Sequence, residues 1–422
     1  MIASLRAPAV AASRERFLDV AWSIGARLCR DAIWDDGRCN WLGDSMEPHA
    51  GEWKVAHKSF GADLYSGTSG IALFLCRLHR LLPDALIAQT ARGALGQALS
   101  RADEVPAQVR HGLYSGWLGL ALALLDAAEA LGEPDLGSRA LQLVDGQRGH
   151  ELDPMALDVI GGAAGAILAL AAIDHWLGGD RYLGEARRLG DHLLAHARRG
   201  DEGWSWTTMP PQTPGQQDLC GYSHGAGGIA IALLELSRRT GDSRYLEGAL
   251  GGFAYERRWF SAEHQNWPDF RSFASPGPQQ LGYSLAWCHG APGIGLSRLR
   301  AFELTGDETY RREAEAAIAG TYRPLTMPAA AEGYSLCHGL GGNAELFIAA
   351  ADVLGDARYR GVAEAVGDRG IQAVHLNRNL WPCGVVSGGE TPNLMLGLAG
   401  IGYFYLRLYD PAAVPSVLLV HG

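Results

Sequence analysis

Seven strongly apolar stretches recur along the chain, and each follows two glycines spaced three residues apart. Stretches such as residues 71–82, 120–131 and 229–236 are too long and too rich in Ala and Leu for strands. They therefore predict buried helices, and the repetition predicts a repeat architecture. The first glycines of the seven pairs are Gly67, Gly116, Gly162, Gly225, Gly290, Gly339 and Gly397.

A second, charge-rich segment follows many of the apolar stretches, for example residues 182–198 and 310–322. Its apolar positions have the helical period and lie on one face, which predicts an amphipathic helix. Glycine can take the left-handed conformation that ends one helix, and aspartate can cap the next. Each repeat is therefore predicted to be a helical hairpin. The Gly-Asp turns are at residues 179–180, 241–242, 306–307 and 355–356.

Seven hairpins can stack as an open solenoid or close into a ring. Glycines at the start of the apolar helices favour closure, because closely approaching backbones need residues without side chains. We therefore predict an all-α fold, an α/α toroid of about seven inner and seven outer helices. Residues 1–422 are expected to form a single domain with a flexible segment at 1–15. Closure would bring the seven glycine loops together at one end.

Composition narrows the classes of partner. The chain has 422 residues, 47% of them hydrophobic, which is enough for a large core. A formal charge of -10 and the lack of a dense Lys/Arg run argue against nucleic acid as a partner. No apolar run reaches the roughly 20 residues needed to insert into a membrane. Seven scattered cysteines suggest reduced thiols and a cytoplasmic location.

Chemically active residues concentrate just before the first glycine of three loops. These positions hold Ser223-His224, Cys288-His289 and Cys337-His338. A catalytic zinc site uses three protein ligands and keeps a fourth position open, so Cys288, Cys337 and His338 are candidate ligands. Zinc deprotonates a bound thiol, so the open position suits a substrate cysteine.

Two further residues are candidates for proton transfer. His224 lies at the equivalent loop position but lacks a preceding cysteine, so it is a candidate proton donor or acceptor beside the metal. Asp158, four residues before Gly162, can orient an imidazole by a hydrogen bond or cap a helix. Trp204, Trp206 and Trp267 fit either a peptide-binding rim or the core.

The loop segments that carry these candidate residues resemble those of the lanthionine synthetase C-like (LanC) cyclase family. In motif detail the chain is most similar to the C-terminal cyclase half of bifunctional, class II lanthipeptide synthetases. Many free-standing members carry an arginine four residues before the first zinc cysteine, where this chain has Ser284; Arg271 is a candidate replacement. The matching segments are Asp158-Val159-Ile160-Gly161-Gly162, Gly221-Tyr222-Ser223-His224-Gly225, Trp287-Cys288-His289-Gly290-Ala291-Pro292-Gly293 and Leu336-Cys337-His338-Gly339.

The resemblance implies a seven-plus-seven α/α toroid and one Zn²⁺ per chain, held by Cys288, Cys337 and His338, without an organic cofactor. The implied reaction is an intramolecular, Michael-type addition of peptide cysteine thiolates to dehydroalanine or dehydrobutyrine, which forms lanthionine or methyllanthionine rings. His224 is the first candidate to protonate the resulting enolate and His289 the second, with Asp158 assisting. The expected partners are a dehydrated precursor peptide and a separate dehydratase.

Three other functions fit the same residues. An intermolecular enzyme would add glutathione to dehydrated residues. A zinc-dependent thiol alkyltransferase would normally use an aspartate ligand and a basic diphosphate site, and neither is evident. A zinc-stabilised peptide-binding scaffold would close the metal site with a fourth ligand such as Cys220 or Cys383.

Overall fold

The computed structural model describes residues 7–49, 52–210, 215–271, 280–327, 333–387 and 389–422. Seven helices begin directly after the first glycine of each pair: α2 (Thr68–Leu81), α4 (Trp117–Leu131), α6 (Ala163–Leu177), α8 (Ala226–Thr240), α10 (Ala291–Thr305), α12 (Leu340–Val353) and α14 (Leu398–Tyr409). Seven more alternate with them: α1 (Ala7–Asp31), α3 (Ala85–Ser100), α5 (Pro134–Gly146), α7 (Leu183–Ala195), α9 (Ser243–Trp259), α11 (Glu308–Thr326) and α13 (Ala357–Gly370).

The first set forms a closed inner ring. Each inner helix contacts the next one along the chain, and α14 contacts α2. Each inner helix also packs against an outer helix, which covers it from solvent. Main-chain hydrogen bonds join the seven glycine loops at one end of the ring, so the inner helices that start there all run in the same direction. The predicted α/α toroid is therefore confirmed.

The seventh hairpin is assembled differently from the other six. Among the described residues no outer helix follows the inner helix α14, which packs instead against α1. Ion pairs of Arg14 with Glu364 at 3.2 Å and of Arg16 with Asp368 at 2.6 Å tie α1 to α13. Helix α1 begins at Ala7, inside the segment expected to be flexible, and residues 1–6 lie outside the described residues.

Three of the Gly-Asp turns have the predicted conformation. Gly241, Gly306 and Gly355 have φ of 68–69°, and Asp242, Asp307 and Asp356 each accept a hydrogen bond from the amide two residues later. The prediction is wrong at residues 179–180. There α6 ends one residue earlier, so Gly178 takes the left-handed conformation (φ 69°), and Asp174 accepts the Tyr182 amide.

The second glycine of every pair is required by a close backbone contact. A Cβ atom placed there would lie 1.8–2.3 Å from the carbonyl oxygen of the residue six positions earlier. Each loop thus folds back onto the first turn of its own inner helix at a distance that excludes any side chain. The glycines concerned are Gly70, Gly119, Gly165, Gly228, Gly293, Gly342 and Gly400.

Buried ion pairs connect neighbouring inner helices near the opposite end of the ring. Arg300 of α10 pairs with Glu235 of α8 at 2.6 Å, and Arg407 of α14 pairs with Glu345 of α12 at 2.6 Å. Arg77 of α2 pairs likewise with Asp126 of α4. Such pairs cost desolvation energy, so we interpret them as fixing the register between helices rather than as a source of stability.

The loops among the described residues contain three antiparallel β-hairpins. The sequence pattern does not predict them. They pair β1 (Ile33–Asp35) with β2 (Arg38–Asn40), β3 (Leu42–His49) with β4 (Glu52–Ser59), and β5 (Arg198–Gly200) with β6 (Gly203–Ser205). A π-helical turn, Ile371–His375, follows α13. In the described part of the chain no helix combines the length and the apolar character needed to cross a membrane.

Substitution Gly119→Ala should lower the free energy of unfolding by about 2–3 kcal/mol, because the new methyl group meets the Leu113 carbonyl at 1.9 Å. Gly361→Ala in α13 is the matched control, since a Cβ there meets nothing within 4 Å. This control should be neutral or stabilising by up to about 1 kcal/mol. Thermal and urea denaturation measure both, and equal effects would contradict the close contact.

Candidate functional site

A closed ring of main-chain hydrogen bonds joins the seven glycine loops. The bonded residues lie two positions before the first glycine, except that in the third loop Ile160 accepts at this position and Val159, one position earlier, donates. The N–H to O=C bonds are Tyr65 to Tyr114 (2.9 Å), Tyr114 to Ile160 (2.9 Å), Val159 to Ser223 (3.0 Å), Ser223 to Cys288 (3.3 Å), Cys288 to Cys337 (3.4 Å), Cys337 to Met395 (2.9 Å) and Met395 to Tyr65 (3.0 Å).

This ring makes neighbours of residues that are distant in sequence. Cys288 and Cys337 occupy adjacent places in it, and Ser223 occupies the place on the other side of Cys288. The Ser223 hydroxyl also donates to the Cys288 carbonyl at 3.2 Å. The predicted cysteine pair is therefore brought together by the backbone of its own loops.

The two thiols contact each other in a buried environment. The Cys288 thiol donates to the Cys337 sulfur, which raises the pKa of Cys288 well above its usual value, as does burial. The same hydrogen bond, helped by the nearby Tyr65 hydroxyl, lowers the pKa of Cys337. The pair thus favours one thiolate, on Cys337, and Tyr65 is a neighbour that the sequence did not single out.

His338 lies beside this pair with an exposed ring. Its Nε2 is 2.9 Å from the Gly384 carbonyl oxygen, so Nδ1 is the nitrogen left for a metal. Two thiols and an imidazole are donors that zinc prefers. Among the described residues, no three His, Cys, Asp or Glu side chains converge into a preassembled metal cluster. The donor set therefore fits zinc chemically but is not preformed.

His224 and Asp158 form a second pair beside the thiols. The imidazole Nδ1 is 2.5 Å from Asp158 Oδ2, and Oδ1 of the same carboxylate accepts the Gly161 amide at 2.9 Å. Burial disfavours the imidazolium, but the charge and hydrogen bond of Asp158 outweigh burial and raise the pKa of His224. Asp158 thus orients the imidazole and stabilises the turn before α6, and it does not cap the helix, whose N-cap residue Gly162 has no side-chain partner.

His289 lies in the same region but is enclosed. Its side chain is 1% exposed and stacks on His224 with ring centroids 5.7 Å apart. Neither ring nitrogen reaches hydrogen-bond geometry with a described residue, although the Cys220 carbonyl is close. Burial, followed by the charge of Arg271, lowers the pKa of His289 to about 3. At neutral pH this imidazole is uncharged.

Residues 58–419 match the family described as "Lanthionine synthetase C-like protein". The chain belongs to this family. The nisin cyclase structure is similar, with a TM-score of 0.65 and 16% identity over 85% of this chain and 93% of that one. At that identity the likeness shows a shared fold.

Two relatives of the family are similar in sequence. The lacticin 481/lactococcin biosynthesis protein LcnDR2 of Lactococcus lactis subsp. lactis is 22% identical over 391 residues, which are 88% of this chain and 38% of that protein. The glutathione S-transferase LANCL1 of Danio rerio is 29% identical over 130 residues, or 30% of this chain and 29% of that protein. The chain therefore matches well under half the length of both.

Arg271 contributes a positive charge to the site from a sequence position other than the one at which many free-standing family members carry an arginine. Arg271 donates to Asp269 through Nε at 2.8 Å and Nη2 at 2.5 Å, and Ser284 donates to the same carboxylate at 2.7 Å. Burial opposes ionisation of Asp269, but Arg271 and His289 lower its pKa to about 2. Ser284 thus helps to hold the carboxylate that fixes Arg271, whose charge also acts on Cys337 and His289.

Two buried polar residues anchor the loops that carry the site. Glu256 accepts the amides of Gly221 and Gly227 at 2.7 and 2.9 Å, and Arg298 neutralises it at 2.9 Å. Asn266 donates to the Ser284 carbonyl at 3.0 Å and accepts the Ala291 amide at 2.7 Å. Sequence reasoning missed both roles, because each anchor is distant in sequence from the backbone groups that it binds.

The candidate fourth ligands and the proposed aromatic rim are placed elsewhere. The Cys383 thiol points to the Thr391 carbonyl at 3.9 Å, and Cys220 is buried beside Glu256, where burial raises its pKa. Trp206 and Trp267 are each 1% exposed and belong to the core, so the rim interpretation is wrong for them. Neither cysteine supports a closed, four-ligand site.

Substitution Asp158→Asn should lower the pKa of His224 below its ordinary value, because burial remains while the stabilising charge is lost. An NMR titration of the His224 ring measures this shift. The control Glu151→Gln removes an exposed charge from the same connecting loop and should leave the titration unchanged. A His224 pKa that is equal in both variants would refute the pairing.

Proposed function

We propose that the chain is a lanthionine synthetase (cyclase) that closes thioether rings in a dehydrated precursor peptide. The observation that carries this proposal is the ring of loops that places the thiol pair beside the His224–Asp158 pair. Family membership supports it. The peptide would be supplied by a separate dehydratase, and the reaction is expected in the cytoplasm without nucleic acid.

Cys288, Cys337 and His338 would hold one zinc ion per chain. When bound, zinc would lower the pKa of a substrate cysteine so that it reacts as a thiolate. The contact between Cys288 and Cys337 supports this ligand set. The Gly384 carbonyl would orient His338 by holding its second ring nitrogen.

The proton that completes the addition is assigned to His224. Substrate sulfur bonds to the β-carbon of the dehydroamino acid, and the electron pair of the C=C bond moves toward the carbonyl oxygen as an enolate. His224 then delivers a proton to the α-carbon from Nε2, since Asp158 holds Nδ1. Asp158 raises the pKa of this imidazole and so favours its protonated form, whereas burial and the charge of Arg271 leave His289 uncharged at neutral pH.

Arg271 is a candidate to stabilise the enolate by its positive charge. Its guanidinium is held by the buried Asp269 carboxylate, which restricts its orientation. A fixed positive charge acts most strongly on charge that develops in the transition state. Many free-standing members carry an arginine where this chain has Ser284. We therefore assign the stabilisation of the enolate to Arg271 in its place.

Zinc content tests the ligand set. Cys288→Ala, Cys337→Ala and His338→Ala should each lose most of the bound zinc and the ability to cyclise a dehydrated, cysteine-containing peptide. Cys383→Ala should keep both, whereas a four-ligand scaffold using Cys383 would lose its metal. Metal analysis measures the bound zinc, and mass spectrometry of the peptide after alkylation of its remaining free thiols measures cyclisation.

The same assay with added glutathione separates the two enzymatic alternatives. Intramolecular cyclisation leaves peptide mass unchanged and consumes the peptide thiol, while intermolecular addition increases the mass by one glutathione. A wild-type protein that cyclises without zinc would contradict the proposed ligand role.

Substitution His224→Ala should reduce kcat by about 10²- to 10⁴-fold while zinc content is unchanged, because the general acid is lost. In the wild type, kcat should fall as pH rises through the raised pKa of His224, since the protonated form is required. Asp158→Asn should move this fall to lower pH. An unchanged kcat in His224→Ala would assign the proton to another group.

A further inference from the structure

Residues 411–422, here called the axial segment, fill the centre of the inner ring. The segment leaves α14 at the end opposite the glycine loops. Arg407 donates to its Pro411 and Val414 carbonyls at 2.7 and 2.6 Å, and Tyr403 donates to Pro415 at 2.7 Å. These contacts lead the segment along the axis toward the loops.

The axial segment meets the underside of the site at two carbonyl groups. The Val417 carbonyl accepts a hydrogen bond from the Tyr114 hydroxyl at 2.5 Å, and the Leu418 carbonyl accepts one from Trp287 Nε1 at 2.9 Å. Tyr114 and Trp287 are both 0% exposed. Beyond these residues the segment turns back, and Gly422 lies against the Ala171 backbone in α6.

Both donors belong to the hydrogen-bonded ring of loops. Tyr114 is one of its members, and Trp287 directly precedes Cys288. The indole packs on Tyr114 with ring centroids 5.3 Å apart and on Tyr222 at 5.6 Å. Its orientation is therefore fixed by these two aromatic rings and, at its polar edge, by the axial segment.

From this geometry we infer that the axial segment is a positioning element for Cys288, acting through Trp287. A buried indole N–H without an acceptor is costly, so loss of the Leu418 carbonyl would favour a different ring orientation. Movement of Trp287 shifts the backbone of Cys288, and with it the contact between the two thiols. The inference rests on the proposed function only in taking Cys288 as a zinc ligand.

Trp287→Phe is the direct test, because it keeps an aromatic ring and removes the N–H donor, while the loss of ring volume is matched in a buried control. Trp41→Phe is the matched control, since Trp41 is also buried (2% exposed) and donates to the Leu28 carbonyl at 2.8 Å. Two readouts apply to the whole chain: the rate at which iodoacetamide alkylates Cys288 without metal, followed by mass spectrometry, and the Kd for zinc.

We expect Trp287→Phe to raise the alkylation rate of Cys288 about tenfold, the effect of one buried hydrogen bond. It should weaken zinc binding roughly ten- to hundredfold and lower kcat more than it changes KM. Trp41→Phe should change each quantity less than about twofold, because its indole contacts no residue of the site.

A second variant tests the axial segment itself. A chain that stops at Ser416 should show the same changes, and a synthetic peptide of the missing residues 417–422 should reverse them. If Trp287→Phe and Trp41→Phe behave alike, the inference is overturned. This comparison remains decisive even if the shortened chain fails to fold. A wild type that forms no rings, while Trp287→Phe still exposes Cys288, would overturn the proposed function and leave the positioning role standing.

Discussion

The closed ring of main-chain hydrogen bonds at the glycine loops is the constraint on which the site depends. Each loop donates to one neighbour and accepts from the other, so no loop can move without disturbing two more. Buried amide and carbonyl groups need partners, and here the partners are supplied by other repeats. The second glycines allow this arrangement, because each loop folds tightly onto its own helix.

The ring also explains how a repeated fold acquires a single, asymmetric site. The seven loops have equivalent backbone positions that carry different side chains. The chemistry of the site therefore depends on which residue occupies each position. The two cysteines occupy neighbouring places, while His224 follows the next member of the ring and stacks on His289. Glu256 and Asn266, both buried, hold the loops on this side of the ring.

Much of the architecture is predictable from the sequence, because glycine pairs, apolar runs and capping aspartates each act locally. The zinc ligands proposed from the loop positions do become neighbours in the case of Cys288 and Cys337, and Asp158 does bind His224. The rest depends on contacts between distant residues. No periodic sequence pattern predicts the ion pair of Arg271 with Asp269, the π-helical turn or the axial segment. The shift at Gly178 shows that adjacent glycines leave a helix end ambiguous.

The pairing of α1 with α14 has a consequence for biosynthesis. Helix α1 is synthesised first, yet its inner partner follows about 370 residues later. At about 5–20 residues per second, the apolar face of α1 must wait tens of seconds for that partner. The last inner helix therefore closes the ring, and the nascent toroid remains open, with an unprotected edge on each side of the gap, until α14 has been synthesised.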